Sequence, residues 1–142
     1  MSTPVRRSLY GKLAGDTTLT AMLATPPTGF SQSIYYQQAP ENAAYPFIIL
    51  SKQVATPTDA FKTPGAFDTD VWLVKAIDRN QTADLAEQIQ ARIVVLLNDA
   101  TLSISGRTLM GLRRQSDTDY SEVQDGERYI HAGSLFRLVH EA

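Results

Sequence analysis

The chain starts with apolar residues at helical spacing and then changes to the denser apolar runs that are typical of strands. Behind Pro4, apolar side chains recur every three or four residues up to Leu13, which predicts a first helix that stops at Gly15. Asp16 is suited to cap a second, short helix. Two adjacent prolines and a glycine within residues 25–29 end that helix.

An unbroken apolar run, Phe47-Ile48-Ile49-Leu50, follows Pro46 directly. A strand with one solvent-exposed face alternates apolar and polar residues, because successive side chains point to opposite faces. We therefore expect both faces of this strand, placed at 47 to about 54, to be covered. The chain's own helices can cover one face, and a neighbouring subunit is the candidate for the other.

Shorter segments surround this buried strand. A strand is predicted at 34–36, and a loop leads from there to Pro46. A connection over 56–66, which carries proline and glycine, leads to a strand at about 67–77 that is apolar on both faces. Residues 78–80 are then expected to cap a helix.

The second half of the chain predicts one helix and two strands. A single apolar stripe runs through 85–97 and ends at Asn98-Asp99. Strands are predicted at 107–115 and 129–140, and the polar stretch between them turns at Asp125-Gly126. The whole chain, 1–142, is thus expected to be a single α+β domain. Its mainly antiparallel sheet would have about five strands, with helices packed on one face.

Composition narrows the functional classes. The 142 residues are 43% hydrophobic and 20% charged, with a net charge of -2 and an isoelectric point of about 5.6. Such a balance argues against a protein that reads nucleic-acid sequence. Without a long apolar run or a signal-peptide pattern, we expect neither a membrane span nor secretion. Zero cysteines exclude disulfides and thiolate sites.

The titratable residues form no convincing catalytic group. His131 and His140 are nine positions apart, so a regular strand points them to opposite faces and they cannot share a metal; a role at the surface or strand end is favoured. Asp68 and Asp70 share a face and could hold a hard cation, but a solvated strand edge is the favoured interpretation.

Two further charged stretches are interpreted as surface features. The acidic segment 117–122 lacks the ligand spacing of a calcium loop and is expected to form a polar hairpin tip. Arg113 and Arg114 point to opposite faces of a strand and are expected to be surface charges, able to meet a phosphate or an acidic partner. The residues therefore give an enzyme hypothesis no support, and we predict no catalytic, cofactor or metal residues.

Five segments carry a resemblance through their order and spacing. They are a helix followed by Asp-x-x-Leu-x-x-x-Leu at 8–23, a short strand at 34–36, Ala-Ala-Tyr-Pro-Phe-Ile at 43–48, Asp-Val-Trp-Leu-Val at 70–74 before a helix at 83–97, and Tyr-Ile-His-Ala-Gly-Ser-Leu-Phe-Arg at 129–137. In this order they resemble the tail-completion proteins of long-tailed bacteriophages, also called tail terminator or tail-to-head joining proteins. The Thr- and Pro-rich connection at 55–67 departs from the family's pattern.

The resemblance implies a structural virion protein without a cofactor. It implies a homo-oligomeric ring, a hexamer, that assembles in the bacterial host cytoplasm and caps the head-proximal end of the tail tube. Its partners would be the major tail tube protein and the head-tail connector protein. DNA would pass through the lumen without sequence-specific binding. The alternatives are a neighbouring head-completion or connector ring, or a non-catalytic binding module.

An assembly protein needs contact residues for neighbouring subunits or partners. Phe61 is the first candidate, since it is an aromatic residue on the long connection between two strands. The full predicted set of subunit or partner contacts is Phe61, Phe67, Trp72, Arg113, Arg114 and Tyr120.

Overall fold

The computed structural model describes the backbone of residues 3–60 and 63–141 and the side chains of residues 4–57 and 67–141. The predicted order of helices and strands is confirmed. The elements are α1 (Thr3–Ala14), α2 (Thr17–Thr20), β1 (Ile34–Tyr36), β2 (Phe47–Ala60), β3 (Thr63–Arg79), α3 (Asp84–Leu97), β4 (Leu109–Gln124) and β5 (Glu127–Glu141). Among these helices, none has the length and apolarity to cross a membrane.

All five strands form one sheet in the order β1-β2-β3-β5-β4. Strand β1 runs parallel to β2, and the other three pairings are antiparallel. The prediction of an α+β fold with a mainly antiparallel sheet is therefore confirmed. Because β5 lies between β3 and β4, the two edges of the sheet are the short β1 and the long β4.

The three helices cover one face of the sheet, which we call the helix face. Trp72 and Phe136 are direct partners on β3 and β5, and both side chains are fully buried there. They belong to one continuous core with apolar residues of α1, α2 and α3. The members from the helices are Val5, Leu9, Leu13, Leu19, Ile89, Ile93 and Leu97. Burial of this face is the main stabilising contribution in the fold.

The first four residues of β2, 47–50, are buried on both faces, as their apolar run predicts, but the expected burial does not extend to residue 54, because residues 53–57 are exposed. Ile48 and Leu50 point into the helix-face core. On the opposite face, Phe47 and Ile49 are only 5% and 6% exposed and pack against Tyr35. The expectation that a neighbouring subunit covers this second face is wrong. The chain's own loop between β1 and β2 covers it, through side chains that include Ala39, Ala43 and Tyr45.

The strands of both β-hairpins are longer than the sequence pattern predicts. The connection expected over 56–66 is largely strand, because β2 reaches Ala60 and β3 starts at Thr63. Pro57 is tolerated there because β1 ends at Tyr36, opposite Leu50, which leaves the outer side of β2 unpaired beyond that point.

The acidic segment 117–122 lies inside β4 rather than at a hairpin tip. It pairs residue by residue with β5, and this ladder outweighs the low strand propensity of aspartate. The turn at Asp125-Gly126 is confirmed, with positive φ angles of 52° and 79° that match a two-residue hairpin turn.

Of these two predicted helix caps, at Asp16 and at residues 78–80, one is confirmed and one is wrong. The Asp16 cap is confirmed, since the Leu19 amide donates to Asp16 Oδ2 at 2.8 Å. Arg92 of α3 also donates to both Asp16 oxygens, at 2.9 and 2.7 Å, and this contact lowers the pKa of Asp16. The predicted cap at residues 78–80 is wrong, because α3 starts at Asp84 and the side-chain Oδ1 of Asn80 instead accepts from the Thr82 amide.

Gly133 on β5 leaves little room for a side chain. A Cβ atom there would lie 3.1 Å from Leu73 Cδ1 and Thr118 Oγ1, and 3.2 Å from Lys75 Cβ. We predict that Gly133→Val lowers the free energy of unfolding, measured by urea titration, by about 1–3 kcal/mol because of overpacking. Gly111→Val on β4 is the matched control, since a Cβ there meets nothing within 4 Å. Equal losses in both variants would contradict the packing argument.

Candidate assembly surface

Away from the helices, the sheet presents a face that the described residues leave partly uncovered. We call it the open face and define it by Val54, Val71, Leu73, Leu135, Val139, Arg113 and Arg137. These side chains alternate with those of the helix-face core along the same strands. An apolar patch bordered by arginines on an otherwise folded protein is typical of a protein–protein contact.

The register places these residues as neighbours across the strands. Leu73 is the direct partner of Leu135, and Val71 lies between Val54 and Arg137. Val54 is 51% exposed, and the aliphatic side chains on β3 and β5 are half-buried. The open face thus has an aliphatic centre and a basic border on the β4 side, formed by Arg113 and Arg137.

At one end of this face, β4 and β5 bring an aromatic and polar cluster together. The Tyr120 and His131 rings stack at 4.2 Å between centroids, and Lys75 Nζ donates to the Tyr120 hydroxyl at 3.2 Å. His131 Nε2 lies 2.8 Å from Glu122 Oε1, whereas its buried Nδ1 has no partner among the described residues. Burial lowers the pKa of His131 below its ordinary value of 6.5, and the weaker effect of Glu122 opposes this.

The carboxylates of β3 lie on the helix face. The interpretation of Asp68 and Asp70 as a solvated strand edge is wrong, because β3 is the central strand and Asp70 is 3% exposed. Asp70 Oδ2 lies 3.4 Å from Trp72 Nε1 and 3.3 Å from His140 Nε2. Arg107 donates to Asp68 Oδ2 at 3.4 Å and to the carbonyl of residue 141 at 3.1 Å.

This network ties the end of the last strand to β3. His131 and His140 lie on opposite faces, as predicted from their spacing. Both are buried, so neither has the expected surface position, but His140 does lie at a strand end, as expected. No group of three potential metal ligands occurs in the part of the chain that the structure describes. We interpret the carboxylates and histidines as hydrogen-bonding groups that hold the strands in register.

The predicted contact residues are dispersed over the molecule. Trp72 has no exposed surface and lies in the helix-face core, so it is not a contact residue of the folded protomer. Phe67 is half-buried near the start of β3, and Tyr120 is 51% exposed near the far end of the sheet. Phe61 lies outside the described residues.

The two arginines lie on opposite faces of β4, as predicted. Arg113 faces the open face opposite Arg137 and donates to Asp99 at 3.0 Å. Arg114 lies opposite Phe136 and contacts Asp117 at 3.2 Å. Both are exposed. The open-face aliphatic residues were not in the predicted set, although their alternation with the core positions of β3 and β5 is visible in the sequence.

The lowered pKa of His131 predicts how the stability of the protein depends on pH. Because burial depresses its pKa in the folded state, the unfolded chain binds the proton first as the pH falls. Stability should therefore fall as the pH drops below about 6.5, until the folded histidine is protonated as well. We predict a shallower fall between about pH 7.5 and 5.5 for His131→Gln, which stays neutral and can still donate to Glu122. Parallel stability curves from urea titrations of the two proteins would contradict this.

Comparisons with known proteins agree with this fold. The profile of the family described as tail completion protein gp17 matches residues 7–141. A chain in the virion of a native gene transfer agent particle has the same fold, with a TM-score of 0.72, 20% identity, and coverage of 97% of this chain and 95% of that one. A second solved structure matches with a TM-score of 0.60 and 14% identity over the same shares of the two chains. No curated protein sequence matches the chain. The family profile spans all but the ends of the sequence, so the chain belongs to the tail completion protein gp17 family.

Proposed function

We propose that this protein forms a ring, a hexamer, at the head-proximal end of a phage-type tail tube, where it ends tube growth and joins the tail to the head connector. Membership of the family makes the chain a structural tail protein of a phage virion. The observation that carries the finer proposal is the extent of the family match, since residues 7–141 include nearly every helix and strand.

A ring has to use surfaces that one protomer leaves uncovered. The run Phe47-Ile48-Ile49-Leu50 gives no such support, because the chain itself covers both of its faces. The open face, with its aliphatic centre and arginine border, is one surface that the described residues leave partly uncovered, and the two edges of the sheet are others. In a cyclic assembly each protomer would contact two neighbours through two different surfaces, and the ring closes when the rotation between them allows it.

The charge of the chain suits a conduit for DNA. With 13 basic and 15 acidic side chains, the protein has a net charge of -2. Each neutralised phosphate strengthens binding to DNA by release of counterions, so a strongly basic lumen would hold DNA rather than let it pass. A ring of near-neutral protomers would allow DNA to move through without sequence-specific contacts.

The first test concerns the position of the protein on the tail. We expect purified protein, mixed with unfinished tails, to appear by electron microscopy at one tube end only. We also expect it to restore joining to filled heads, because a terminator offers a surface to the connector. Binding along the whole tube would contradict the proposal. Binding to head vertices without tail tubes would identify a connector ring instead.

The second test concerns Phe61, which the sequence places between β2 and β3. We propose that its side chain packs on a neighbouring subunit. Phe61→Ala should then abolish ring assembly and tail completion without changing the melting temperature of the monomer. The control is Val95→Ala on α3, where the side chain is 67% exposed, and it should leave assembly intact. Normal assembly of Phe61→Ala would rule out the contact.

A further inference from the structure

The two edges of the sheet lie next to opposite charges. At the β1 edge, α1 contributes Arg6 and Arg7, and no acidic residue occurs in Thr3–Ala14. At the other edge, the second half of β4 and the start of its turn, residues 116–125, carry four acidic residues and no lysine or arginine; the acids are Asp117, Asp119, Glu122 and Asp125. An unpaired strand edge can pair with a strand of another chain, and charges beside the edge decide which one.

The β1 edge has a shallow cavity beside it. Strand β1 is bonded to β2 on one side, where the Ile48 amide donates to the Ser33 carbonyl at 2.9 Å. Beside β1 lies a cavity of about 220 Å³ between α1, β1 and β2, lined by Arg6, Arg7, Tyr10, Phe30, Tyr36 and neighbouring apolar side chains. Most of β1 is buried, so this cavity is the accessible surface at the β1 edge. The Arg6 guanidinium lies 4.6 Å from the centre of the Tyr36 ring, and Phe30 is 46% exposed. The site combines apolar walls with two guanidinium groups, which suits an extended acidic segment.

The β4 edge is covered only near its start. The Asp99 amide donates to the Leu112 carbonyl at 2.8 Å, and the Arg114 amide donates to Asn98 Oδ1 at 2.9 Å. From residue 116 to Gln124, β4 pairs with β5 alone, and no other described strand lies beside it. The side chains of this stretch are mostly exposed, including Val123 at 69%. It is therefore an accessible, extended and acidic segment.

We propose that the acidic β4 edge of one protomer docks against the basic β1 edge of the next, so that sheets follow one another around the ring. This inference rests on the proposed function and names its subunit contact. Two β4 edges would bring acids against acids, and two β1 edges would bring arginines against arginines. The charge pattern therefore disfavours symmetric pairs and selects a head-to-tail contact, which is the type that closes into a ring.

Cross-linking distinguishes head-to-tail from symmetric contacts in this chain, which has no natural cysteine. Gln38, next to β1, and Ser121, on β4, are both exposed. With a short bismaleimide, the double variant Gln38→Cys/Ser121→Cys should give a ladder of covalent oligomers, whereas each single variant should stay monomeric. Val95→Cys/Ser121→Cys is the control for random collisions, and it should give no ladder. The reaction is run on the free protein and on completed tails.

Charge variants add a second readout. Arg6→Glu/Arg7→Glu should reduce the ladder of the double-cysteine protein at least about tenfold, since like charges then face each other. Adding Val123→Lys/Gln124→Lys, at two exposed β4 positions that leave the cysteine at 121 in place, should restore part of it. Unchanged melting temperatures show that these variants are folded.

The outcomes separate the contact from the function. Dimers from Ser121→Cys alone would show a symmetric contact and overturn the inference. Completed tails on which the double variant gives no ladder would also overturn it and leave the proposed function standing. Failure of the unmodified protein to bind tail ends would instead refute the proposed function.

Discussion

The fold depends on one imbalance: a five-stranded sheet has two faces, and the chain supplies a helical layer for only one of them. Side chains alternate along β3 and β5, so the residues that flank the buried Trp72, Val74, Phe136 and Leu138 face away from the helices. Those residues include Val71, Leu73, Leu135 and Val139, which are only half-buried. An aliphatic surface on the second face is therefore a direct consequence of how the core is built.

Different kinds of residues cover the two ends of this second face. Over β1 and β2, the loop before Pro46 folds back and closes a small second core around Phe47. Over β4 and β5, the chain uses polar residues instead: the Tyr120–His131 stack is held by Lys75 and Glu122. Among the described residues, the middle of the face is the part that remains partly uncovered. A contact there would be bordered by rigid, well-packed elements, and such preorganisation lowers the entropic cost of assembly.

The sequence was sufficient for the order of elements because helical and strand spacing differ clearly in α3 and β2. It was insufficient wherever long-range pairing decides the outcome. Pro57 and the acids of 117–122 are poor strand residues, yet the ladder to β3 or β5 holds them extended. The sequence did not predict the order of the strands in the sheet either. Asp70 was therefore expected at a solvated edge, whereas it lies buried in the central strand. Trp72 was expected at an interface because its strand is apolar on both faces, and spacing alone does not identify the face that helices cover.

The position of charge is the feature that links this fold to assembly. The net charge of -2 hides a separation of charge along the chain, since all charged residues of α1 are basic and all charged residues of the segment 116–125 are acidic. The sheet places these segments near opposite edges. An isolated protomer gains little from this separation, because exposed charges so far apart are screened by salt. Between protomers the same charges would meet at close range and steer the β4 edge of one copy toward the β1 edge of the next. The separation is therefore better explained by a head-to-tail neighbour than by the stability of the single chain.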